Sequence, residues 1–312
     1  MSVIDNYNCL LHVGLHKCGS TWLQQNMFDN PKTGFISPWG KLPGIAVTEF
    51  VAIDPLAFDS AAAHARLNAA ADFAANDKSK TLVLSHEALS SRPHQGYYYA
   101  PEVATRLHEV FPHARILVIF REQVSLIHSL YGEHLRNGGR LTLQEFIGTG
   151  NEPPGFSGLC QPTFFCFDRL IEMYRRTFGE DNVLALPLEM LTTDPDRFVR
   201  TICSFGGGDY CELPTTEKAN TAWGPITYEV LRLSNAFIRG NRLRPQTGGI
   251  FTMRRRILKA VDTLLPRSIQ TRLKDTQRSA IKQRTNGLFR QSNERLSEII
   301  DINLQEYGYL LS

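Results

Sequence analysis

Closely spaced metal-binding residues are missing from this sequence. Its six cysteines include no Cys-x-x-Cys pair, and its nine histidines include no His-Glu-x-x-His motif. Those spacings are typical of structural and catalytic zinc sites. We therefore expect that the protein binds no metal. We also expect the cysteines to be reduced thiols, most of them small residues of the core.

Long hydrophobic runs are also missing. No stretch approaches the ~18–20 consecutive apolar residues that a helix needs to cross a bilayer. The amino terminus has no basic segment followed by an apolar one, so it does not have the pattern of a secretory signal. We therefore expect a cytoplasmic protein without a transmembrane segment.

The sequence has little excess of charge of either sign, with a formal net charge of +3, which argues against nucleic acid as a ligand. The charge is nevertheless uneven, because residues 239–290 contain 14 Lys and Arg against two acidic residues, a local net charge of +12. Two interpretations stay open for this segment. It forms either solvated helical faces or a basic wall towards a phosphorylated co-substrate, an acidic acceptor or a membrane surface.

Short apolar runs bounded by turn residues alternate with helical patterns. Strands are predicted at 9–14, 81–84, 114–120 and 182–187, and helices at 20–28, 101–111, 125–136 and 164–178. The run 116–120 is apolar without alternation, which is typical of a strand covered on both faces of a parallel sheet. The alternation predicts an α/β fold with a doubly wound parallel sheet flanked by helices. We expect one domain over 1–312, with a basic, mainly helical part at 239–292 and a tail at 293–309 that docks on the domain.

The most informative turn joins the first predicted strand to the first predicted helix. It contains Lys17 and Gly19, and the helix starts with Ser20 and Thr21. Glycine lets the backbone approach a ligand, lysine supplies a mobile cation, and the first N–H groups of a helix attract anions. A chance Gly-Ser turn that only caps a helix would not explain the lysine. We therefore predict an anion-binding loop, although in nucleotide triphosphate loops the lysine directly follows the glycine.

A second anion site is predicted after the strand at 114–120. Arg121 follows that strand directly, at the carboxyl end where open α/β sheets bind ligands. Ser129 comes eight residues later, about two turns into the next helix. The pattern is weak alone, but its place after the first loop strengthens it. Two such sites would hold a nucleotide with phosphates at both ends.

Both sites resemble those of sulfotransferases that use 3′-phosphoadenosine 5′-phosphosulfate (PAPS). The order Lys-x-Gly-Ser-Thr-Trp-Leu-Gln at 17–24 resembles the 5′-phosphosulfate loop of that family, and Arg121 with Ser129 resembles its 3′-phosphate site. Residues 178–195 and the tail resemble bacterial and carbohydrate sulfotransferases more loosely. The resemblance implies a P-loop-like fold and PAPS as co-substrate without a metal. The implied donor-binding residues of the loop are Lys17, Cys18, Gly19, Ser20, Thr21 and Trp22.

Within the resemblance, several roles are expected. Cys18 would contribute its backbone N–H, and Lys17 would stabilise negative charge on the oxygen that leaves the sulfur. Trp22 would pack either on adenine or in the core. The family closes over the 3′-phosphate with a late basic loop, for which 254–256 and 282–284 are both candidates and neither is a clean match.

Sulfuryl transfer needs a general base for the acceptor's proton. His86 and Glu87 follow the strand at 81–84, so they should lie at the same sheet edge as Lys17 and Arg121. Carbohydrate sulfotransferases generally use a glutamate and cytosolic small-molecule ones a histidine, and Glu87 matches the glutamate by position. Glu87 is therefore the first candidate and His86 the second. A purely structural acid at a helix start is the alternative for Glu87.

The expected function is thus transfer of a sulfuryl group from PAPS to a hydroxyl or amine. A carbohydrate or glycolipid is the first choice of acceptor, and a small hydroxylated metabolite is the second. Two other functions stay open. One is a nucleotide kinase or triphosphatase with a P-loop, and the other is a non-catalytic module that binds acidic glycans through the basic segment. The sequence contains no signal for the oligomeric state.

Overall fold

The computed structural model describes residues 4–39, 44–71, 80–214, 225–237 and 267–311. In these ranges the chain forms one five-stranded parallel sheet in the order β2-β3-β1-β4-β5. The strands are β1 Asn8–His12, β2 Phe35–Ile36, β3 Thr81–Ser85, β4 Arg115–Phe120 and β5 Val183–Pro187. The predicted α/β fold is confirmed, and four of these strands lie where the apolar runs predicted them. β2 was not predicted, because a strand of two residues has no periodicity to detect.

Helices flank the sheet. Before β4 they are α1 Ser20–Leu23, α2 Gly44–Phe50, α3 Ser60–Ala70 and α4 Ala100–Val110. After β4 they are α5 Gln123–Arg136, α6 Leu143–Ile147, α7 Phe167–Phe178, α8 Met190–Thr193, α9 Pro195–Gly206, α10 Pro225–Phe237, α11 Arg267–Arg284 and α12 Arg290–Ile300. The predicted helix at 20–28 is divided, since α1 continues as a π-helical turn over Gln24–Phe28. The other three predicted helices agree within a few residues.

The centre of the sheet is fully buried. Every residue of β4 from Ile116 to Phe120 is 0% exposed, as the unbroken apolar run predicts. Because all strands are parallel, their carboxyl ends lie at one edge. The chain leaves β1 towards β2 and leaves β4 towards β5, so the order of the strands reverses between β1 and β4. Open α/β sheets bind their ligands at such a point.

The carboxyl-terminal tail docks on the domain, as predicted. The side chains of Leu296 and Leu304 are fully buried, and Asn293 donates a hydrogen bond from Nδ2 to the carbonyl of Leu310 at 3.0 Å. Of the basic segment, residues 239–266 lie outside the described residues. Most side chains of α11 are exposed, so this part of the segment largely consists of solvated helical faces.

All six cysteines are free thiols, and four of them are buried: Cys18, Cys160, Cys166 and Cys203. The expected reduced state agrees with this arrangement. Within the described ranges, every helix is too short or too polar to cross a bilayer. Over the same part of the chain, no three His, Cys, Asp or Glu side chains are grouped as metal ligands.

Candidate active site

The turn between β1 and α1, residues 13–19, has a strained backbone. Lys17 has a φ of 67° and Gly19 a φ of 82°, both in the left-handed region. For a lysine this conformation costs about 1–3 kcal/mol, and such strain concentrates at ligand sites. A Cβ atom on Gly19 would come within 2.7 Å of Leu188 Cδ1. The loop therefore needs glycine at position 19, where β5 ends close by.

The start of α1 presents hydrogen-bond donors at the sheet edge. The first bond of the helix runs from the Leu23 N–H to the Gly19 carbonyl at 3.1 Å. The N–H groups of Ser20 and Thr21 precede it and have no acceptor within the helix. The Ser20 hydroxyl is buried and has no hydrogen-bond partner among the described residues, and the Thr21 side chain is exposed. A buried hydroxyl without a partner is unfavourable unless a ligand or water supplies one.

Two residues that the resemblance assigns to the donor loop are engaged elsewhere. The Cys18 N–H donates to the carbonyl of Leu15 at 3.2 Å, within the turn itself. Trp22 is 5% exposed, donates from Nε1 to the Pro214 carbonyl at 3.2 Å and meets the ring of Phe198 edge-on at 6.4 Å. Of the two expected roles of Trp22, these contacts support core packing.

His86 and Glu87 follow β3 and differ in what their side chains can do. His86 caps the next turn, since its Nδ1 accepts the N–H of Ala88 at 2.8 Å. Its ring is buried, and burial lowers the pKa of the imidazole. In the neutral ring the other nitrogen then carries the proton, so no lone pair is free to take one. The Glu87 carboxylate is 35% exposed and lies 3.9 Å from Nδ1 of His16. Of these two side chains, Glu87 is thus the one with an accessible proton-accepting group.

Two buried imidazole rings, those of His16 and His94, lie on the side of the loop where Glu87 is. His16 meets the ring of His94 edge-on, with centroids 4.6 Å apart. Burial lowers the pKa of His16 to about 2 and that of His94 to about 4, and nearby cations, including Lys17, add to both effects. Because both rings are uncharged at neutral pH, Lys17 remains a principal cation of this loop.

The segment after β4 contains Arg121 and leads into α5. Arg121 directly follows β4 and Glu122 caps α5, accepting the N–H of Ser125 at 2.8 Å. Ser129 is half-buried and lies one turn after Ser125, on the same face of α5. Arg278 lies close to this segment, with Nη2 3.5 Å from Oε2 of Glu122.

Arg278 is a basic residue that the sequence did not single out. It comes from α11 and donates from Nη2 to the hydroxyl of Ser125 at 2.5 Å. Burial lowers the pKa of the neighbouring His128, and the positive charges of Lys274, Arg278 and Arg121 lower it further. Two cations of α11 and the arginine that precedes α5 therefore act on the same part of α5.

Of the two late basic groups expected from the resemblance, the structure describes one. Residues 254–256 lie outside the described residues. Arg284, from the candidate group 282–284, donates from Nε to the carbonyl of Gly148 at 2.8 Å and so contacts a different loop. Position 278 carries no local pattern that distinguishes it from the other basic residues of α11.

Lys17 and α5 are joined by an ion pair. The Lys17 ammonium lies 2.6 Å from Oε2 of Glu133, and both side chains are about a quarter exposed, at 25% and 23%. Arg136, one turn further along α5, donates to the same carboxylate. Glu133 has no signal in the sequence, because nothing local connects it with a lysine so far away in the chain.

Glu189 is a second acidic residue that the sequence left without a role. Its carboxylate follows β5, accepts the Glu122 N–H at 3.1 Å and accepts the hydroxyl of Tyr309 at 3.1 Å. Burial raises the pKa of Glu189, while these hydrogen bonds and the charge of Arg121 act in the opposite direction. Glu189 thus holds the docked tail and the start of α5 together beside Arg121.

A solved structure with a similar fold is the sulfotransferase from Alicyclobacillus acidocaldarius. The two chains share 15% sequence identity and a TM-score of 0.51, over 96% of this chain and 98% of the other. No protein-family model matches the chain, and no curated protein matches it. At this identity the likeness shows a shared fold.

Proposed function

We propose that the protein is a sulfotransferase that moves the sulfuryl group of PAPS to a hydroxyl or amine of an acceptor. One observation carries the proposal. The parallel sheet brings the strained loop of Lys17 and the segment of Arg121 to the same edge, after the two adjacent strands between which the strand order reverses. A nucleotide with anionic groups at both ends fits two cationic sites on either side of such a point.

The donor fits the groups available at each side. At the β1 side, the Lys17 ammonium, the first N–H groups of α1 and the unpartnered Ser20 hydroxyl can bind the 5′-phosphosulfate. At the β4 side, Arg121 and Ser129 can bind the 3′-phosphate, with Arg278 close by on α11. Arginine suits phosphate because its planar donors form two parallel hydrogen bonds. This distribution of cations favours a donor phosphorylated at both ends over ATP.

The chemistry needs one proton acceptor and one stabiliser of negative charge. The acceptor oxygen forms a bond to sulfur as its proton passes to the Glu87 carboxylate. The bond between sulfur and the bridging oxygen breaks, and its electron pair leaves on 3′,5′-ADP. Lys17 stabilises the charge that develops on that oxygen. Glu87 is suited to its role because it is partly exposed, whereas Nδ1 of His86 already accepts the Ala88 N–H.

The acceptor class is a finer part of the proposal. A carbohydrate or glycoconjugate is favoured by the glutamate after β3 and by the resemblance of the tail. We place the reaction in the cytoplasm, and the basic segment can also lie against a membrane surface. A nucleotide kinase is less well supported, because Lys17 precedes Gly19 instead of following it.

Donor recognition predicts selective stabilisation by ligands. At a concentration of 100 Kd, 3′,5′-ADP should stabilise the protein by about 2.7 kcal/mol and raise Tm by roughly 5 °C, whereas ATP with Mg²⁺ should have little effect. Thermal unfolding with each ligand measures the difference. A larger shift with ATP and Mg²⁺ would favour the kinase, and binding of 3′,5′-ADP without turnover of any acceptor would favour a binding module.

Arg121 should be responsible for recognising the 3′-phosphate. Arg121→Ala should weaken 3′,5′-ADP binding by about 10- to 100-fold, since a charge-assisted hydrogen bond contributes about 1.5–3 kcal/mol. The affinity for 5′-AMP, which has no 3′-phosphate, should hardly change and serves as the matched control. Calorimetric titration gives both constants. Equal weakening for the two ligands would count against this assignment.

A further inference from the structure

The ammonium of Lys17 is already paired in this structure. Its distance to the Glu133 carboxylate, 2.6 Å, is that of a direct charge-assisted hydrogen bond. An anionic donor must therefore compete with Glu133 for this cation. Glu133 has no place in the sulfuryl-transfer scheme above, so the pair requires its own explanation.

The pair is electrostatically stable without a ligand. Burial by itself would raise the pKa of Glu133, but the charges of Lys17 and Arg136 outweigh it, so the pKa lies below its ordinary value. The carboxylate is consequently ionised at neutral pH. Since the charges of Lys17 and Glu133 cancel locally, the loop is less attractive to an anion than its sequence suggests.

The fold lets Lys17 leave Glu133 without disturbing it. Glu133 lies on the last turns of α5, a helix of 14 residues, and Arg136 donates to the same carboxylate from one turn away. Arg136 therefore holds Glu133 in place when the lysine moves. Lys17 lies in the turn between β1 and α1. Its flexible four-carbon side chain can reach different partners.

We propose that Glu133 is the resting counterion of Lys17, displaced by the anionic end of the donor and paired with Lys17 again when the bisphosphate product leaves. The inference rests on the proposed function, because it assigns the competing anion to the donor and product of sulfuryl transfer. Glu133 is then a positioning residue that acts through Lys17. It weakens the binding of donor and product and accelerates product release.

The test is the affinity of the full-length protein for 3′,5′-ADP in the variant Glu133→Gln. Glutamine keeps the shape of the side chain and removes the competing charge. The Kd for 3′,5′-ADP should fall about fivefold, because a partly exposed ion pair contributes about that much free energy. Most of the change should come from slower dissociation of the ligand. The KM for PAPS should fall as well, while kcat falls if product release limits turnover. An unchanged or raised Kd would overturn the inference, because a carboxylate that competes with the ligand for Lys17 must weaken its binding.

Two control variants distinguish the loss of the Lys17 counterion from a general change in the charge of the protein. Glu180 pairs with Arg175 at 3.0 Å directly before β5, at the opposite edge of the sheet. Glu180→Gln makes the same charge change there and should leave Kd unchanged. The double variant Glu133→Gln with Arg136→Gln restores the net charge and should still bind more tightly than the wild type. If either control behaves otherwise, the tighter binding comes from net charge or from Arg136, and the inference fails.

Glu133→Asp keeps the test decisive if glutamine prevents folding. The shorter side chain retains its charge but moves away from Lys17, so Kd should again fall, by less than in Glu133→Gln. An unchanged Kd in a folded aspartate variant would contradict the inference. The wild-type protein separates failure of the proposed function from failure of the counterion inference. If it does not bind 3′,5′-ADP at all, the proposed function fails, whereas binding that is insensitive to position 133 refutes only the counterion.

Discussion

Replacing Glu87 with glutamine should lower kcat by about 10²–10⁴-fold, the usual contribution of a general base. The amide has the same shape as the carboxylate but cannot accept the acceptor's proton at neutral pH. Because Glu87 acts on the acceptor, the Kd for 3′,5′-ADP should stay close to that of the wild type. Steady-state sulfuryl transfer from PAPS and calorimetric titration measure the two quantities separately.

His86 provides the matched control for Glu87. The variant His86→Asn removes the imidazole but keeps a side-chain acceptor suited to cap the turn at Ala88, so the local structure should survive. We expect His86→Asn to retain most of the wild-type kcat. Full activity in Glu87→Gln together with loss of activity in a folded His86→Asn would reverse the assignment of the base.

The second large effect is expected at Lys17. Lys17→Ala should lower kcat/KM for PAPS by about 10²–10³-fold, as is typical when a group that stabilises transition-state charge is lost. The reduction should exceed the loss of affinity for 3′,5′-ADP, since the developing charge on the bridging oxygen exists only during transfer. Initial rates over a range of PAPS concentrations, beside a binding titration, provide the comparison.

Two further variants test whether the effect belongs to Lys17 itself and not to the loss of any positive charge. Lys32 is exposed after the π-helical turn, so Lys32→Ala removes the same charge away from the loop and should leave kcat/KM unchanged. Glu133→Gln should change the affinity for 3′,5′-ADP far less in the Lys17→Ala background than in the wild type, because Glu133 acts through Lys17 and stays paired with Arg136. Additive effects of the two substitutions would show that these side chains do not interact.

The general architecture could be predicted from the sequence because its signals are local. An unbroken apolar run such as 116–120 suits a strand buried on both faces, and a lysine and a glycine between strand and helix indicate an anion loop. Because the strands are parallel, residues 17, 87 and 121, which follow β1, β3 and β4, lie at one edge of the sheet. This placement does not depend on what their side chains contact. Helix boundaries agreed because the apolar periodicity of α5 and α7 is regular.

The sequence by itself thus determined the parallel sheet, the loop of Lys17 and the location of Arg121 at its edge. Only the tertiary structure decided which partner each side chain has. It paired Lys17 with Glu133, buried Trp22 against Phe198 and brought Arg278 to Ser125 across 153 positions of the chain. Periodicity and turn chemistry act over a few residues, whereas these contacts depend on how distant elements pack, and so they leave no local pattern in the sequence.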